Sequence, residues 1–253
     1  AFGGRRVLVL GDLIADEYLL GTTHRVSREA PVLILRHRSR EVKLGGAGNA
    51  ANNVRALGGE VSVLGLLGDD DAGREVLDLL QERGIDASGV VRLPEIETTV
   101  KMRILAGQTN TTMQQVIRID REGEGRVPRE TADRLARALR ERAETADAIL
   151  ISDYGLGAVG PVIIQAVNAL AEEKCASNGG LPLLVDSRHG LIGFRGVTAV
   201  TPNEAEIRAV LEGKQGVALS NDDLFRETEA LRERMGIQGL LLTRGKHGMV
   251  LFE

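Results

Sequence analysis

One stretch of twelve residues decides how this chain folds: Lys43-Leu-Gly-Gly-Ala-Gly-Asn-Ala-Ala-Asn-Asn-Val54. Its three glycines and three asparagines are typical of a turn, because both residue types tolerate backbone angles that others avoid. The apolar residues that begin within it recur at i, i+3, i+4, i+7 and i+10, the spacing of one helix face: Ala47, Ala50, Ala51, Val54 and Leu57. The stretch therefore predicts a glycine-rich turn that runs directly into a helix with polar amides in its first turns.

Outside this stretch the chain alternates short apolar runs with amphipathic segments. The apolar runs are typical of buried parallel strands and occupy residues 7–10, 61–66, 148–151, 183–185, 197–201 and 240–243. The segments with helical spacing occupy residues 71–83, 131–145, 161–174, 204–211 and 222–235. This order predicts an α/β fold in which a mostly parallel central sheet lies between two layers of helices.

Several of the predicted strands end in a polar residue, namely Asp12, Asp153, Asp186, Thr201 and Thr243. Each residue alone would be an ordinary turn residue. In open α/β sheets, however, ligands bind beyond the carboxyl ends of the strands. We therefore expect the five residues to gather on one rim of the sheet and to form a site there.

Two segments, about 16–43 and 98–120, interrupt the pattern with β-rich stretches in which apolar and polar residues alternate. Alternation leaves one face of a strand in water or against a ligand. We predict that the two segments form a small β-sheet lid on a single domain that covers residues 1–253.

Composition and missing motifs exclude several classes of function. The chain has 253 residues, a net charge of −4 and no tryptophan, so nucleic acid is not an expected partner. Cys175 is the only cysteine, which excludes an intrachain disulfide and fits a cytoplasmic location. No apolar run approaches the ~18 residues of a membrane span, so no membrane partner is expected. The motifs of P-loops, zinc proteases and serine hydrolases are absent.

Basic residues crowd one part of the chain: Arg25, Arg28, Arg36, Arg38, Arg40 and Lys43. They interleave with apolar residues, which is typical of the wet side of a strand. The same residues would also attract a small anionic substrate. Both interpretations stay open at this point.

The opening stretch also contains Gly46-Ala-Gly48-Asn-Ala-Ala51, which matches the dinucleotide pattern G-x-G-x-x-[GA], with Asp69 and Asp70 farther along. That pattern belongs to the first βα unit, whereas the first strand here ends at Gly11-Asp12. An NAD(P)-dependent enzyme is therefore a weaker alternative.

A longer pattern includes the same glycines. Gly45-Gly46-Ala47-Gly48-Asn49-Ala50-Ala51 is followed after six residues by Gly58 and after nine more by Gly68. This spacing resembles the first signature of the ribokinase-like, PfkB-type carbohydrate kinases, and the resemblance runs the length of the chain. It includes Gly11-Asp12 with Asp16, Gly68-Asp-Asp70 with Gly73, Thr201-Pro-Asn203 with Glu206, and Thr243-Arg-Gly245 with Gly248. The resemblance implies a three-layer α/β/α sandwich and ATP- and Mg²⁺-dependent phosphoryl transfer to a sugar hydroxyl.

Within that family the chain is most similar to the D-glycero-β-D-manno-heptose-7-phosphate kinase branch. The similarity is carried by Asp16, Tyr18, Gly21, Arg25, Ser27, Glu29-Ala-Pro31, Thr99, Lys101, Arg103, Gln115, Arg118, Asp120, Ser152-Asp-Tyr154, Gly157 and Asp186. Two positions depart from the branch, because Leu156 and Arg188 stand where it usually carries lysine.

The resemblance implies a sugar site made of Asp16, Gly45, Gly46, Asn49, Asn53, Lys101, Arg103 and Asp153. Carboxylates and amides suit sugar hydroxyls, which need hydrogen-bond partners once they leave water, and glycines allow the backbone close to a ligand. Lys101 and Arg103 alternate along a strand and suit a substrate phosphate. From the residues alone, Asn49 would equally cap a helix, and the two cations would equally form an exposed face.

The nucleotide site implied by the resemblance consists of Asp186, Arg188, Asn203, Glu206, Thr243 and Gly245, with Glu206 as the Mg²⁺ ligand. Asn203 and Glu206 lie one helical turn apart, so they would equally mark the start of a helix.

The family's second signature, which supplies the catalytic aspartate and an anion-binding helix start, does not occur up to Glu253. We expect that aspartate beyond Glu253, so the domain would be incomplete at its carboxyl end and the chain as given inactive or nearly so. A non-catalytic module that binds sugar and nucleotide on the same scaffold is the alternative. Lid sheets of this family often pair between subunits, which implies a homodimer through the lid.

Overall fold

A computed structural model describes residues 2–107, 112–123, 126–174, 180–215 and 219–253, without the side chains of residues 24, 25, 214 and 215. Cys175 and the side chain of Arg25 lie outside the described part. The strands are β1 (Arg6–Gly11), β2 (Leu13–Val26), β3 (Leu33–Gly46), β4 (Glu60–Gly68), β5 (Asp86–Leu93), β6 (Val100–Gly107), β7 (Gln114–Arg121), β8 (Ala148–Asp153), β9 (Leu183–Ser187), β10 (Ala199–Val200), β11 (Gly239–Thr243) and β12 (Met249–Phe252). The helices are α1 (Ala47–Ala56), α2 (Asp71–Glu82), α3 (Arg129–Ala143), α4 (Pro161–Lys174), α5 (Glu204–Gln215) and α6 (Asn221–Met235).

The central sheet confirms the predicted fold class. Its strand order in the described residues is β12-β11-β10-β9-β8-β1-β4-β5, and every pair is parallel except β11 with β12. Alternate residues of a strand face opposite sides. In β1, Leu8 and Leu10 accordingly pack with α3 to α6, whereas Val7 and Val9 pack with α1 and α2. The sheet thus lies between two helical layers.

Three strands differ from the sequence expectation: β5 and β12, which it does not predict, and β10, which is shorter than predicted. Residues 86–93 form β5, which the apolar pattern does not predict, because it is an edge strand and its wet positions carry Asp86 and Arg92. The run 197–201 shortens to the two residues of β10, because Pro202 follows and lacks the N–H that a longer ladder needs.

A second sheet has the order β3-β2-β6-β7 and is formed by the two segments with alternating sequence. It adjoins the central sheet without a linker, since only Asp12 separates β1 from β2 and β3 passes at Gly46 into α1. Among the residues described, no helix is long and apolar enough to cross a membrane.

The opening stretch forms this junction between the two sheets. Gly46 has φ 55°, a value that favours glycine, and a Cβ there would lie 2.2 Å from the carbonyl oxygen of Asp12. The N–H of Ala47 donates to that same oxygen at 2.9 Å. The predicted turn and helix are therefore a direct strand-to-helix passage that only glycine permits.

Candidate active site

The carboxyl ends of the parallel strands meet at one edge of the central sheet, as the sequence predicts. Ser152 pairs with Gly11 on one side and with Asp186 on the other, and Asn203 forms an isolated bridge with Thr243. A cleft of about 390 Å³ opens at this edge. Its lining is Asp153, Tyr154, Asp186, Arg188, Thr201, Asn203, Glu206 and Thr243.

Asp12 belongs to this rim, but it does not line the cleft and binds backbone N–H groups of the loop after β8 instead. Its side chain is buried, with 3% of its surface exposed. It accepts N–H bonds from Tyr154 at 2.7 Å, Leu156 at 3.2 Å and Ala158 at 3.0 Å. Burial raises the pKa of Asp12 above its ordinary value, although these three bonds oppose the rise. The carboxylate therefore fastens the loop that follows β8.

Asp153, predicted for the sugar site, lines the cleft together with residues predicted for the nucleotide. Its Oδ2 accepts from the hydroxyl of buried Ser187 at 2.6 Å, and its Oδ1 accepts from the N–H of Gly155 at 2.9 Å. Both carboxylate oxygens thus have protein partners. Asp153 lies at the boundary between the two predicted sites and orders its own loop.

Asp186 is the carboxylate on the strand next to Asp153. Partial removal of water raises the pKa of Asp186 and the charge of Asp153 adds to the rise, while a hydrogen bond with Thr201 opposes it. Arg188 is exposed directly after the end of β9, two residues beyond Asp186, and lines the same cleft. An anion that enters the cleft meets one guanidinium and three acidic side chains, those of Asp153, Asp186 and Glu206, so a bridging cation would favour its binding.

Asn203 and Glu206 form a reciprocal cap at the start of α5. The N–H of Asn203 donates to Glu206 Oε2 at 2.9 Å, and the N–H of Glu206 donates to Asn203 Oδ1 at 2.9 Å. This is a capping box, so the helix-start interpretation describes their contacts. Both residues also line the cleft, and Glu206 Oε1 is not used by the box.

The donor set of the cleft fits Mg²⁺. Within the described residues, no group of three or more His, Cys, Asp or Glu side chains is arranged to hold a metal by itself. Asp186 and Glu206 nevertheless line one cleft with the hydroxyls of Thr201 and Thr243. Mg²⁺ prefers such oxygen ligands and commonly completes its shell with water and phosphate. The cleft therefore suits Mg²⁺ that enters with a polyphosphate.

Gly245 lies just beyond the cleft and does not line it. It follows Thr243 and Arg244 and begins a short helical turn with φ 53°. Arg244 donates to Glu204 at 2.8 Å and stacks over Phe225 at 4.9 Å from the ring centroid. The guanidinium of Arg244 is thus occupied by protein, which leaves Arg188 as the arginine that lines the cleft.

The second sheet presents polar residues in two rows on one face. Strand register gives the rows as Lys43-Asp16-Lys101-Asp120 and Glu41-Tyr18-Arg103-Arg118. Arg103 donates to Asp16 at 2.6 Å, and its guanidinium lies 5.4 Å from the Tyr18 ring centroid. Lys43 Nζ lies 5.2 Å from the same centroid. The sheet thus brings predicted sugar-site residues together on one face that holds four cations and three carboxylates, hereafter the cationic face.

The glycines and asparagines of the opening stretch lie beside this face. A Cβ on Gly45 would lie 2.9 Å from Asp16 Cγ, so a larger residue would displace that carboxylate. Asn49 and Asn53 are exposed on successive turns of α1, and their side chains have no hydrogen-bond partner among the described residues. Gly46, not Asn49, occupies the cap position of α1, so Asn49 is not a helix cap.

The basic cluster divides between the two faces of the second sheet. Lys43 belongs to the cationic face, whereas Arg40 points to the opposite side. There Arg40 donates to Glu17 at 2.6 Å and to both oxygens of Glu75 on α2 at 2.9 and 2.8 Å. Arg40 therefore ties the sheet to α2, and the cluster is not a single anion-binding surface.

Tyr154, which the sequence analysis names for its similarity to the branch but assigns to no site, joins the cationic face to the cleft. Lys101 Nζ lies 5.5 Å from the ring centroid of Tyr154, and Tyr154 lines the cleft with Asp186 and Arg188. Burial and the charge of Asp186 raise the pKa of the Tyr154 phenol. The available signal was its place directly after a strand-end aspartate, as one of only two tyrosines in the chain.

Comparison with known proteins shows the family of the chain. Residues 5–253 match the family model described as pfkB family carbohydrate kinase. The Bifunctional protein HldE of Geobacter metallireducens is 38% identical over 247 residues, which are 97% of this chain and 48% of that protein. The protein of the same name from Methylococcus capsulatus is 38% identical over 253 residues, 99% of this chain and 49% of that protein. The chain thus spans about half the length of the curated relatives it matches.

Solved structures share the fold at lower identity. The tetrameric inhibited form of phosphofructokinase-2 from Escherichia coli has a TM-score of 0.71 at 16% identity, over 99% of this chain and 77% of that chain. Arabidopsis thaliana ribokinase complexed with ribose and ATP has a TM-score of 0.63 at 16% identity, over 98% of this chain and 75% of that chain. Both likenesses support the ribokinase-like fold.

Proposed function

Because the chain belongs to the pfkB family of carbohydrate kinases, we propose that it forms the sugar- and nucleotide-binding part of an ATP- and Mg²⁺-dependent kinase that phosphorylates a sugar phosphate of the heptose-7-phosphate type. One observation carries this proposal: a cationic face and a cleft rich in oxygen donors adjoin at Tyr154. A phosphorylated acceptor suits the first and a metal-bound triphosphate suits the second. We further propose that residues 1–253 are one kinase domain, incomplete at its carboxyl end, with the second sheet as its lid.

In this proposal the acceptor sugar lies between the cationic face and the rim. Asp16, Asn49 and Asn53 hold its hydroxyls, and Gly45 and Gly46 allow the backbone close to it. Lys101 and Arg103 face its phosphate, while Asp153 orders the loop at the boundary. The free amides of Asn49 and Asn53 support this assignment, because exposed amides without protein partners remain available to a ligand.

The triphosphate of ATP occupies the cleft in this proposal. Arg188 neutralises phosphate charge, and Asn203, Thr243 and Gly245 border the nucleotide. Glu206 and Asp186 hold Mg²⁺ and its waters, and Mg²⁺ supplies neutralisation of charge on the phosphoryl group being transferred. The protein's own residues orient acceptor and donor, because phosphoryl transfer depends mostly on positioning and electrostatics.

A base for the acceptor hydroxyl is the missing element. Within the described residues of the cationic face, Asp16 is already paired with Arg103, and in the cleft Asp153 is bound to Ser187. We propose that the catalytic aspartate belongs to residues that follow Glu253, so that the 253-residue chain binds both ligands without turnover. The engagement of Asp16 by Arg103 and of Asp153 by Ser187 also favours the second candidate, a non-catalytic sugar- and nucleotide-binding module. The NAD(P) alternative has no comparable support, because Gly46 ends a strand of the second sheet rather than the first strand of the central sheet, and Gly48 lies inside α1.

We also propose a homodimer through the lid. On the side opposite the cationic face, Ile117 and Ile119 are 50% and 48% exposed. Exposed β-branched residues on a sheet suit pairing with an identical sheet. Sedimentation tests the dimer: the unmodified protein should be a dimer and Ile117→Lys a monomer. An Ile117→Lys variant that remains a dimer would contradict the proposal.

Calorimetric titration and a kinase assay test the proposed function together. We expect the chain to bind a non-hydrolysable ATP analogue with Mg²⁺ and, separately, a heptose 7-phosphate. Glu206→Gln should weaken the first without the second, and Arg103→Gln the second without the first. Lys174→Gln is the matched control, because Lys174 is the last residue of α4 and its charge pairs only with Glu144 among the described residues.

Turnover separates the two candidates. A polypeptide extended past Glu253 should phosphorylate the sugar phosphate, whereas the 253-residue chain should not. Binding without turnover in the extended polypeptide would favour the non-catalytic module. Failure of both ligands to bind would refute the kinase proposal.

A further inference from the structure

Lys101 differs from the other cations of the cationic face in its partner. The rows contain Lys43, Lys101, Arg103 and Arg118. Lys43 pairs with Glu41 at 3.3 Å, Arg103 with Asp16 at 2.6 Å, and Arg118 with Asp120 at 2.8 Å. Lys101 has no carboxylate partner among the described residues, and the Tyr154 ring is the contact of its ammonium.

Strand register explains why Lys101 lacks a carboxylate. It lies between Asp16 on β2 and Asp120 on β7, which are its cross-strand neighbours. Each of these carboxylates is held by an arginine instead, Asp16 by Arg103 and Asp120 through both oxygens by Arg118 at 2.8 and 3.0 Å. An arginine can bind a carboxylate through several N–H groups of its planar guanidinium, which a lysine ammonium cannot match, so the arginines hold these two carboxylates. The ammonium therefore has no carboxylate partner among the described residues and is available to another ligand.

Tyr154 is held firmly enough to position that ammonium. Its backbone N–H donates at 2.7 Å to buried Asp12, and this hydrogen bond holds the backbone of Tyr154 at the rim. Its ring is half-buried at the point where the cationic face meets the cleft. An aromatic ring attracts an ammonium through its face while the remaining N–H groups point elsewhere. The contact thus reduces the freedom of a long, flexible side chain before any ligand arrives.

We propose that Tyr154 is a positioning residue whose ring holds the Lys101 ammonium at the junction of the two sites, ready to donate to a phosphate group on the acceptor. This deepens the proposed function and rests on it for the identity of the acceptor. It also separates two residues that the sequence treats alike. Lys101 donates to the phosphate from an ammonium without a carboxylate partner, whereas Arg103 faces the phosphate while it also holds Asp16 at 2.6 Å.

The experiment measures affinity for inorganic phosphate at constant ionic strength in the 253-residue chain. Lys101→Gln should weaken phosphate binding at least about tenfold, since it removes the charge. Tyr154→Leu should weaken it about threefold to fivefold, the range of an exposed cation–π contact. Tyr154→Phe keeps the ring and should stay within about twofold of the unmodified protein. Lys174→Gln controls for loss of one positive charge elsewhere.

The decisive readout is the double variant Tyr154→Leu/Lys101→Gln. Because Tyr154 acts through Lys101, the double variant should bind phosphate no more weakly than Lys101→Gln alone. A structural role for Tyr154 would instead make the two losses add. Additive losses, an equal loss in Tyr154→Phe and Tyr154→Leu, or unchanged affinity in Lys101→Gln would each overturn the proposal.

The two proposals fail differently. Phosphate binding with the expected pattern, but no binding of ATP analogue, would refute the kinase proposal and leave the role of Tyr154 standing. Normal binding of nucleotide and sugar phosphate, with phosphate affinity indifferent to Tyr154, would refute the role of Tyr154 alone.

Discussion

Replacement of Asp12 tests how the rim of the central sheet is held together. Asp12 is buried at the end of β1 and accepts three backbone N–H bonds from the loop after β8. That loop carries Tyr154 and leads to the cleft. Asp12→Ala removes both acceptor oxygens and with them all three hydrogen bonds, whereas Asp12→Asn keeps the shape of the side chain but has one acceptor oxygen instead of two.

The size of the effect follows from the bonds. Hydrogen bonds to a charged group contribute roughly 1.5–3 kcal/mol each. Tyr154 and Leu156 are half-buried, so water replaces part of their loss, while Ala158 is buried and has no such replacement. We expect Asp12→Ala to lower the free energy of unfolding by about 3–5 kcal/mol. Asp12→Asn should cost about 2 kcal/mol, because its amide N–H₂ faces at least one N–H that it cannot accept.

Equilibrium urea unfolding measures these free energies, and amide hydrogen exchange locates them. The amides of Tyr154, Leu156 and Ala158 should exchange faster in both variants. Asp71→Asn is the control, since Asp71 is an exposed carboxylate at the start of α2 and should change stability by less than ~0.5 kcal/mol. An Asp12→Asn variant as stable as the unmodified protein, with unchanged exchange in the loop, would refute the reasoning.

Two further predictions concern the same junction. Gly46→Ala should destabilise the protein by about 3 kcal/mol, because its Cβ would lie 2.2 Å from the Asp12 carbonyl oxygen and its φ is 55°. Gly48→Ala inside α1, where the nearest atom to the added Cβ lies at 3.4 Å, should be neutral or stabilising. Urea unfolding midpoints compare the two variants, and equal midpoints would contradict the steric argument. For Asp70, burial raises the pKa, but N–H bonds from Thr98 and Gly73 outweigh it and hold the pKa below its ordinary 3.8. Its stabilisation is therefore present above the unfolded pKa and lost as pH falls through the folded pKa, so unfolding followed from pH 5 to pH 2 should show a shallower decline for Asp70→Asn, and an unchanged slope would count against it.

Sequence periodicity predicts the layered fold because burial on both faces requires it. Continuous apolar runs such as those of β1 and β8 are stable only where helices cover both sides. The same reasoning fails at β5, whose edge position leaves one face in water and removes the apolar signal. It also overestimates β10, where Pro202 ends the ladder.

The candidate site was predictable as a set of residues but not as a set of contacts. Spacing alone assigns Asp12, Asp153 and Asp186 to one rim, because parallel strands end together. Which carboxylate remains free depends on neighbours distant in sequence. Asp12 is occupied by a loop more than a hundred residues away, as the separations of 142 to 146 residues between bonded partners show.

The amino-acid sequence by itself determined the layered sheet, the interrupting β segments and the glycines of the opening stretch, because these depend on local periodicity and on backbone angles. Only the tertiary structure decided which charges are paired. Asp16 of β2 pairs with Arg103 of β6, Asp120 pairs with Arg118 two residues before it on β7, and the Lys101 ammonium of β6 lies over the ring of Tyr154. Electrostatic pairing depends on distances of a few ångströms between separate strands, and no spacing along one chain encodes those distances.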